Sequence, residues 1–234
     1  MRVDKFLSEM GRATRSESAK LARQGKILVN GSPIKKCDTH IDPNSDVITL
    51  CGEIIAYKKF TYIMLNKPEG YVSATEDGYE KTVLDLLPEE ERRKNLFPCG
   101  RLDKNTLGLM ILTNDGDSAH RLLSPKHHVS KTYFFKSKHP ISSDETSMLE
   151  NGVDIGGYLT KPCKIELCED ATSGKITIIE GKYHQIKRML EAIDNKITYL
   201  ERITFGALSL DTTLERGEWR YLTNEEENLL LQNK

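Results

Sequence analysis

The sequence predicts an α+β protein in which a small helix-and-hairpin module, residues 1–58, precedes a larger body, residues 59–234, built on a mixed, mainly antiparallel sheet. Two observations support this prediction. Helix-capping and hairpin signals follow one another closely before residue 58, and the sequence beyond it is rich in short apolar runs. Because those runs do not alternate regularly with helical stretches, a doubly wound parallel sheet is disfavoured.

The first module is expected to contain two short helices followed by a small sheet. The sequence TRSE at residues 14–17 is a capping-box pattern that predicts a helix over residues 18–24, with Gly25 as its C-terminal stop. Asn30 and Gly31 form a strong two-residue hairpin signal. The predicted strands of this module lie at residues 27–29, 33–34 and 46–50.

The body is expected to combine seven strands with three helices. Short apolar runs that contain aromatic residues predict strands at residues 62–65, 109–113, 132–137, 164–167, 175–180, 198–203 and 207–210. Helical patterns lie at residues 82–87, 118–123 and 183–193. This order favours a mixed, mainly antiparallel sheet with helices packed on it.

Charge is distributed unevenly along the chain. Residues 1–36 carry nine basic and three acidic side chains, a net charge of +6, whereas the whole chain carries −1. A basic module on an acidic body suggests that the module binds a polyanion such as RNA, although a charge run is often only a solvated face. No long uncharged apolar run and no signal-peptide core occur, so a cytoplasmic protein without a membrane partner is expected.

One carboxylate stands out in the stretch GRLDKNTLGLMILTNDG at residues 100–116. The run from Leu107 to Leu112 has the length and composition of a strand covered on both faces, and residues 114–116 supply turn chemistry at its end. Asp103 is therefore predicted to lie in a loop that enters a buried strand, where a rigid scaffold can aim it. An isolated aspartate is more often a surface cap, so these residues alone leave both interpretations open.

The helix predicted at residues 183–193 has one apolar stripe and a basic edge. The stripe falls at helical spacing and turns Lys187 and Arg188 toward the edge of the buried face. A carboxylate in a dry pocket needs a cation nearby to stay ionised, and Lys187 is the candidate. The apolar stripe consists of Ile186, Met189, Leu190 and Ile193.

Besides residues 100–116, three segments are informative in combination: YIMLNKPEG at 62–70, KTY at 131–133 and EGKYHQIKRML at 180–190. In this order they resemble the pseudouridine synthases, in particular the branch of ribosomal small subunit pseudouridine synthase A. The first module resembles the S4 RNA-binding domain. The resemblance implies the pseudouridine synthase fold and the isomerisation of uridine to pseudouridine in RNA.

The resemblance also implies roles for five residues of the body. Asp103 is at the position of the catalytic aspartate, and Lys187 at that of the basic residue that pairs with it. Tyr133 is at the position of the tyrosine that lies against the target uracil. Leu190 would close the pocket as an apolar wall, and Arg101 resembles the arginine that fills the gap left by the extruded nucleotide or holds its phosphate.

Further residues are expected to contact RNA. Arg188 is a candidate phosphate contact, and His184 could hydrogen-bond RNA or shape the pocket. In the S4 family the helices carry the basic surface that meets the phosphate backbone, and such contacts position a protein without reading sequence. The matching residues are Arg12, Arg15, Lys20, Arg23 and Lys26.

The sequence therefore favours a site-specific synthase acting on 16S ribosomal RNA, with ribosomal RNA or a ribosomal subunit assembly intermediate as partner. The alternatives are a synthase acting on large-subunit RNA and an RNA-binding assembly factor without catalysis; a glycoside hydrolase would need a second placed carboxylate. A monomer without a cofactor is expected. No metal site is expected either, because the five cysteines contain no CxxC pair and no third ligand is spaced to join His127 and His128.

Overall fold

The computed structural model describes residues 1–232 and divides the chain into two compact units. The first unit holds Met1–Thr61 together with Leu87–Phe97, and the second holds Tyr62–Leu86 together with Pro98–Lys234. The domain boundary between residues 58 and 59 stays a prediction, and residues 87–97 group with the first unit rather than with the body. Within residues 1–232 no helix has the length and apolar character needed to span a membrane.

The first unit packs short helices on a four-stranded antiparallel sheet with the order β2-β1-β3-β4. The predicted capping box is present, since the Thr14 hydroxyl accepts from the Glu17 amide and the Glu17 carboxylate accepts from the Thr14 amide. The elements are α1 Val3–Glu9, α2 Arg15–Arg23, β1 Ile27–Val29, β2 Ser32–Pro33, β3 Ile48–Leu50, β4 Glu53–Ile55 and α3 Glu89–Arg92.

The hairpin between β1 and β2 forms as predicted. Asn30 and Gly31 both have positive φ angles, 50° and 78°, as a two-residue turn of this type requires. Apolar residues of α1, α2 and the strands, among them Phe6, Ala22 and Ile27, form the core of the unit. This core fixes α2 and leaves its polar face exposed.

The second unit is built on a nine-stranded sheet with helices packed against it. The strands of this sheet are β5 Tyr62–Lys67, β6 Phe97–Pro98, β7 Leu107–Thr113, β8 Lys131–Ser137, β9 Lys164–Leu167, β10 Ser173–Ile178, β11 Ile197–Phe205, β12 Leu208–Ser209 and β13 Trp219–Tyr221. Its helices are α4 Gly116–Leu123, α5 Ser143–Asn151, α6 Gln185–Glu191 and α7 Asn224–Leu231, with a 3-10 helix at Val83–Leu86.

The main path of the sheet runs β13-β5-β7-β11-β8-β10-β9. Only β7 and β11 pair in parallel; the other neighbours on this path are antiparallel, which confirms the predicted mixed, mainly antiparallel sheet. Leu107 faces Glu201 at the start of β7, and Tyr133 on β8 pairs with Arg202 on β11. This pairing brings the loop before β7 close to Tyr133.

Several elements differ from the sequence prediction. The helix predicted at 82–87 is a 3-10 helix, and α6 begins at Gln185 because His184 adopts a left-handed conformation, with φ of 49°. The helices α5 and α7 and the strands β4 and β13 were not predicted. Both helices nevertheless carry capping boxes, at 142–145 and 223–226.

Candidate active site

Residues from the loop before β7, from β8, from β11 and from the start of α6 line a cavity of about 980 Å³ in the second unit. A cavity of this size accommodates a nucleotide-sized ligand. Five of the site residues predicted from the sequence lie on its wall: Arg101, Asp103, Tyr133, His184 and Lys187.

Asp103 and Lys187 form an ion pair within this cavity. The Lys187 ammonium donates to Asp103 Oδ2 at 2.7 Å, although the two residues are 84 positions apart in the chain. His184 Nε2 lies 3.6 Å from the other carboxylate oxygen, Oδ1. Both members of the ion pair keep about a quarter of their side-chain surface exposed, so the carboxylate remains accessible to a ligand.

Lys67 at the end of β5 holds the loop that carries Asp103. Its ammonium is fully buried and donates to three backbone carbonyls, those of Pro68 at 3.0 Å, Lys104 at 3.1 Å and Thr106 at 2.9 Å. Burial lowers the pKa of Lys67 to about 8, and the negative charge of Asp103 acts in the opposite direction. A cation buried among carbonyls therefore holds the loop at Lys104 and Thr106, two residues that follow Asp103.

Two further contacts shape this loop. The Ser73 hydroxyl donates to the Leu102 carbonyl at 2.8 Å and accepts from the Leu102 amide at 3.0 Å. Gly108 has a φ of 94°, and a Cβ atom there would lie 2.3 Å from the Arg202 carbonyl oxygen. Only glycine fits at this point, so the loop can turn into β7 while β7 stays close to β11.

Tyr133 lies beside two buried or half-buried cations. The tyrosine is 7% exposed, and its strand partner Arg202 is 2% exposed and donates from Nε to the Leu109 carbonyl at 2.7 Å. Lys131 is half-buried; burial lowers its pKa to about 8, and the charge of Arg202 acts in the same direction. Within residues 1–232 neither cation forms an ion pair with a carboxylate, so this wall of the cavity is electropositive.

The structure does not bring two of the predicted site residues to the cavity. Leu190 is fully buried in the core beneath α6, and half-buried Arg188 points toward Gly156. The apolar part of the wall is formed instead by Ile186, Leu102, Ile178 and Leu200.

The basic residues predicted to contact RNA lie on and around α2 in the first unit. Arg15, Lys20, Arg23 and Lys26 are exposed. Arg12 is also exposed but pairs with Glu53 at 2.8 Å.

Lys67 and Arg202 belong to the site but were not predicted from the sequence. Lys67 lies in the segment 62–70, where a lysine at the end of an apolar strand was the available signal. No local signal marks Arg202, because a basic residue in a strand is ordinarily expected to face solvent.

Comparison with known proteins defines the class of this protein. A family model described as RNA pseudouridylate synthase matches residues 61–192, and a model of the S4 domain matches residues 1–47. The chain belongs to the RNA pseudouridine synthase family, whose members are isomerases, and it carries an N-terminal S4 domain.

Its relatives define the branch within that family. An uncharacterized RNA pseudouridine synthase of Bacillus subtilis, YtzG, is 48% identical over 98% of both chains. Ribosomal small subunit pseudouridine synthase A of Vibrio vulnificus is 42% identical over 97% of both chains. A crystal structure of a pseudouridylate synthase superimposes with a TM-score of 0.69 and 36% identity, covering 98% of this chain and 99% of the other. These relatives confirm the branch that the four sequence segments indicated.

Proposed function

We propose that the protein isomerises a specific uridine of 16S ribosomal RNA, with Asp103 as the catalytic carboxylate. The observation that supports this role is the 2.7 Å ion pair between Asp103 and Lys187 in a cavity that can hold a nucleotide. The hydrogen bond from Lys187 fixes the position of the carboxylate, which can then act as a nucleophile or as a base.

The reaction rearranges one nucleoside without a net change in composition. The bond between ribose C1′ and uracil N1 breaks, the uracil turns, and a bond forms between C1′ and C5. The C5 proton is lost and N1 gains a proton. Asp103 would start the reaction either by attacking C1′ or by removing the 2′ proton of the ribose, and the geometry is compatible with both routes.

Tyr133 would hold the uracil between the two bonding events. Its ring lies on the cavity wall and can stack on a base turned out of the RNA, and its hydroxyl can take part in proton removal at C5. The cations at Lys131 and Arg202 would favour negative charge on the detached uracil. None of these steps needs a metal or an organic cofactor.

The 16S target is supported by the relatives named ribosomal small subunit pseudouridine synthase A, which match this chain over 97% of its length. Large-subunit RNA is the alternative substrate, and a non-catalytic assembly factor is the alternative function. A substrate in ribosomal RNA, free or within a subunit assembly intermediate, would place the enzyme in the cytoplasm. We expect it to act as a monomer.

Mapping pseudouridines in ribosomal RNA tests this proposal. Cells that lack the gene should miss one pseudouridine in 16S RNA, and the gene supplied in trans should restore it. A pseudouridine missing from 23S RNA instead would identify the large subunit as the target. An unchanged map in both RNAs would contradict the proposed substrate.

The basic surface of the first unit is proposed to bind the phosphate backbone of the same RNA. Replacing Lys20, Arg23 and Lys26 together by glutamine should weaken RNA binding and flatten its salt dependence. Each lost phosphate contact lowers the slope of log affinity against log salt by about 0.7–0.9, so the triple variant should lose about two units or more. Binding titrations at several salt concentrations give the slope.

Three exposed lysines of the second unit, Lys138, Lys175 and Lys196, provide a control of equal charge. Their triple glutamine variant should change the slope much less than the variant of the first unit. If both triple variants change the slope equally, the effect comes from net charge and the proposed contact surface is wrong.

A further inference from the structure

An exposed aromatic ring marks the rim of the cavity. Tyr183 is 72% exposed, although it lies only two residues before the helix that carries Lys187. Its ring stacks on the imidazole of His184, with ring centroids 3.9 Å apart and an angle of 17° between the planes. No other aromatic ring among residues 1–232 stacks on Tyr183, so the stack leaves one face of the tyrosine open.

The stack is connected directly to the catalytic candidate. His184 Nε2 lies 3.6 Å from Asp103 Oδ1, so the three side chains form a series that leads from the carboxylate to the rim. His184 holds a left-handed backbone conformation that is uncommon outside glycine, and such conformations concentrate at functional sites. A single side chain, that of His184, therefore separates the Tyr183 ring from the carboxylate of Asp103.

Hydrogen bonds of the Gln185 side chain hold the segment that carries the stack. The Gln185 side chain accepts from the Lys182 amide at 2.9 Å and donates to the Glu180 carboxylate at 2.9 Å. Glu180 is buried and also accepts from the Tyr158 hydroxyl at 2.7 Å. Tyr183 consequently projects from a loop that is already ordered, which reduces the entropy lost when a ligand packs on its ring.

Cations line the same cavity as this aromatic surface. The Lys182 ammonium lies 4.2 Å from the centre of the Tyr158 ring, and Lys161 and Arg101 are further cations of the cavity lining. Aromatic rings interleaved with cations are typical of surfaces that bind single-stranded nucleic acid, where bases stack and phosphates meet positive charge.

We propose that the open face of Tyr183 stacks on an unpaired nucleobase next to the target uridine. This proposal depends on the proposed function, because it takes the uridine to lie at Asp103. A base inside a duplex is already stacked on both faces, so the platform selects RNA in which the neighbouring nucleotide is unpaired. The second unit would thus recognise an unpaired nucleotide beside the uridine.

Substitution of Tyr183 tests the stack on the protein side. The Tyr183→Ala variant should bind a short RNA that spans the modified site about tenfold more weakly, since a stacked base contributes about that factor or more. The effect on the saturated single-turnover rate should be smaller. The Tyr183→Phe variant should bind like the wild type, because stacking needs the ring and not the hydroxyl. Tyr79→Ala is the matched control, since Tyr79 is a fully exposed tyrosine of the same unit.

Removal of single bases tests the stack on the RNA side. RNAs that lack the base at one of the two nucleotides on either side of the uridine are titrated against the wild type and Tyr183→Ala. At the contacted position, base removal should weaken wild-type binding about tenfold and should cost the alanine variant nothing further. Additive losses at all four positions would overturn the proposal.

Binding and conversion are measured separately, so the two proposals fail in different ways. Equal affinity of the wild type and Tyr183→Ala for the RNA would overturn the stacking proposal, whatever the rate of isomerisation. Tight binding that depends on Tyr183, without any conversion by the wild type, would contradict the proposed function instead.

Discussion

Replacing Asp103 with asparagine should abolish isomerisation and leave RNA affinity within about twofold of the wild type. Asparagine has nearly the same shape and can still accept a hydrogen bond from Lys187, but it can neither attack C1′ nor remove a ribose proton. Loss of a nucleophile or an essential base costs several orders of magnitude in rate. Tritium release from RNA labelled at uridine C5, measured in single turnover, gives the rate, and binding titrations give the affinity.

Asp194→Asn is the control for this substitution. Asp194 is an exposed carboxylate of the same unit with a φ of 55°, a conformation that asparagine also tolerates. The control should keep wild-type activity. An Asp103→Asn enzyme that retains activity within about tenfold of the wild type would show that another group performs the chemistry.

The elements that could be predicted from the sequence are those with strong local signals. Each of these signals determines structure over a few neighbouring residues. Examples are the capping box at residues 14–17, the Asn30-Gly31 turn and the apolar run of β7. The strand β13 was missed because it has three residues and depends on pairing with β5, which is distant in sequence. The left-handed His184 moved the start of α6, since tertiary packing overrode the helical pattern there.

The site was predictable only in part, for a similar reason. No local pattern connects Asp103 with Lys187, and the resemblance to a family supplied that pairing. Lys67 was missed as a positioning residue because its partners are backbone carbonyls. Every residue has a backbone carbonyl, so the amino-acid sequence does not show which ones a lysine will contact. Arg202 was missed because its contacts with Leu109 and Tyr133 join strands that are distant in the sequence.

Lys187 is proposed to act on the reaction by positioning Asp103. Its ammonium lies 2.7 Å from one carboxylate oxygen, His184 lies 3.6 Å from the other, and Lys67 adds a buried positive charge nearby. Lys187→Met keeps much of the packing of the side chain and removes the charge and the hydrogen bond. A misplaced catalytic group can cost on the order of 100-fold in rate, so a loss of about that size is expected.

Separate measurements of binding and rate distinguish this role from a direct contact with the RNA. If Lys187 acts by positioning Asp103, the methionine variant should bind the RNA as tightly as the wild type while its saturated single-turnover rate falls. Lys187→Arg restores the charge and should recover most of the rate if the longer guanidinium fits. Lys196→Met, at an exposed lysine of the same unit, should leave both rate and affinity unchanged. A methionine variant that loses affinity in proportion to its rate would mean that Lys187 positions the RNA rather than Asp103.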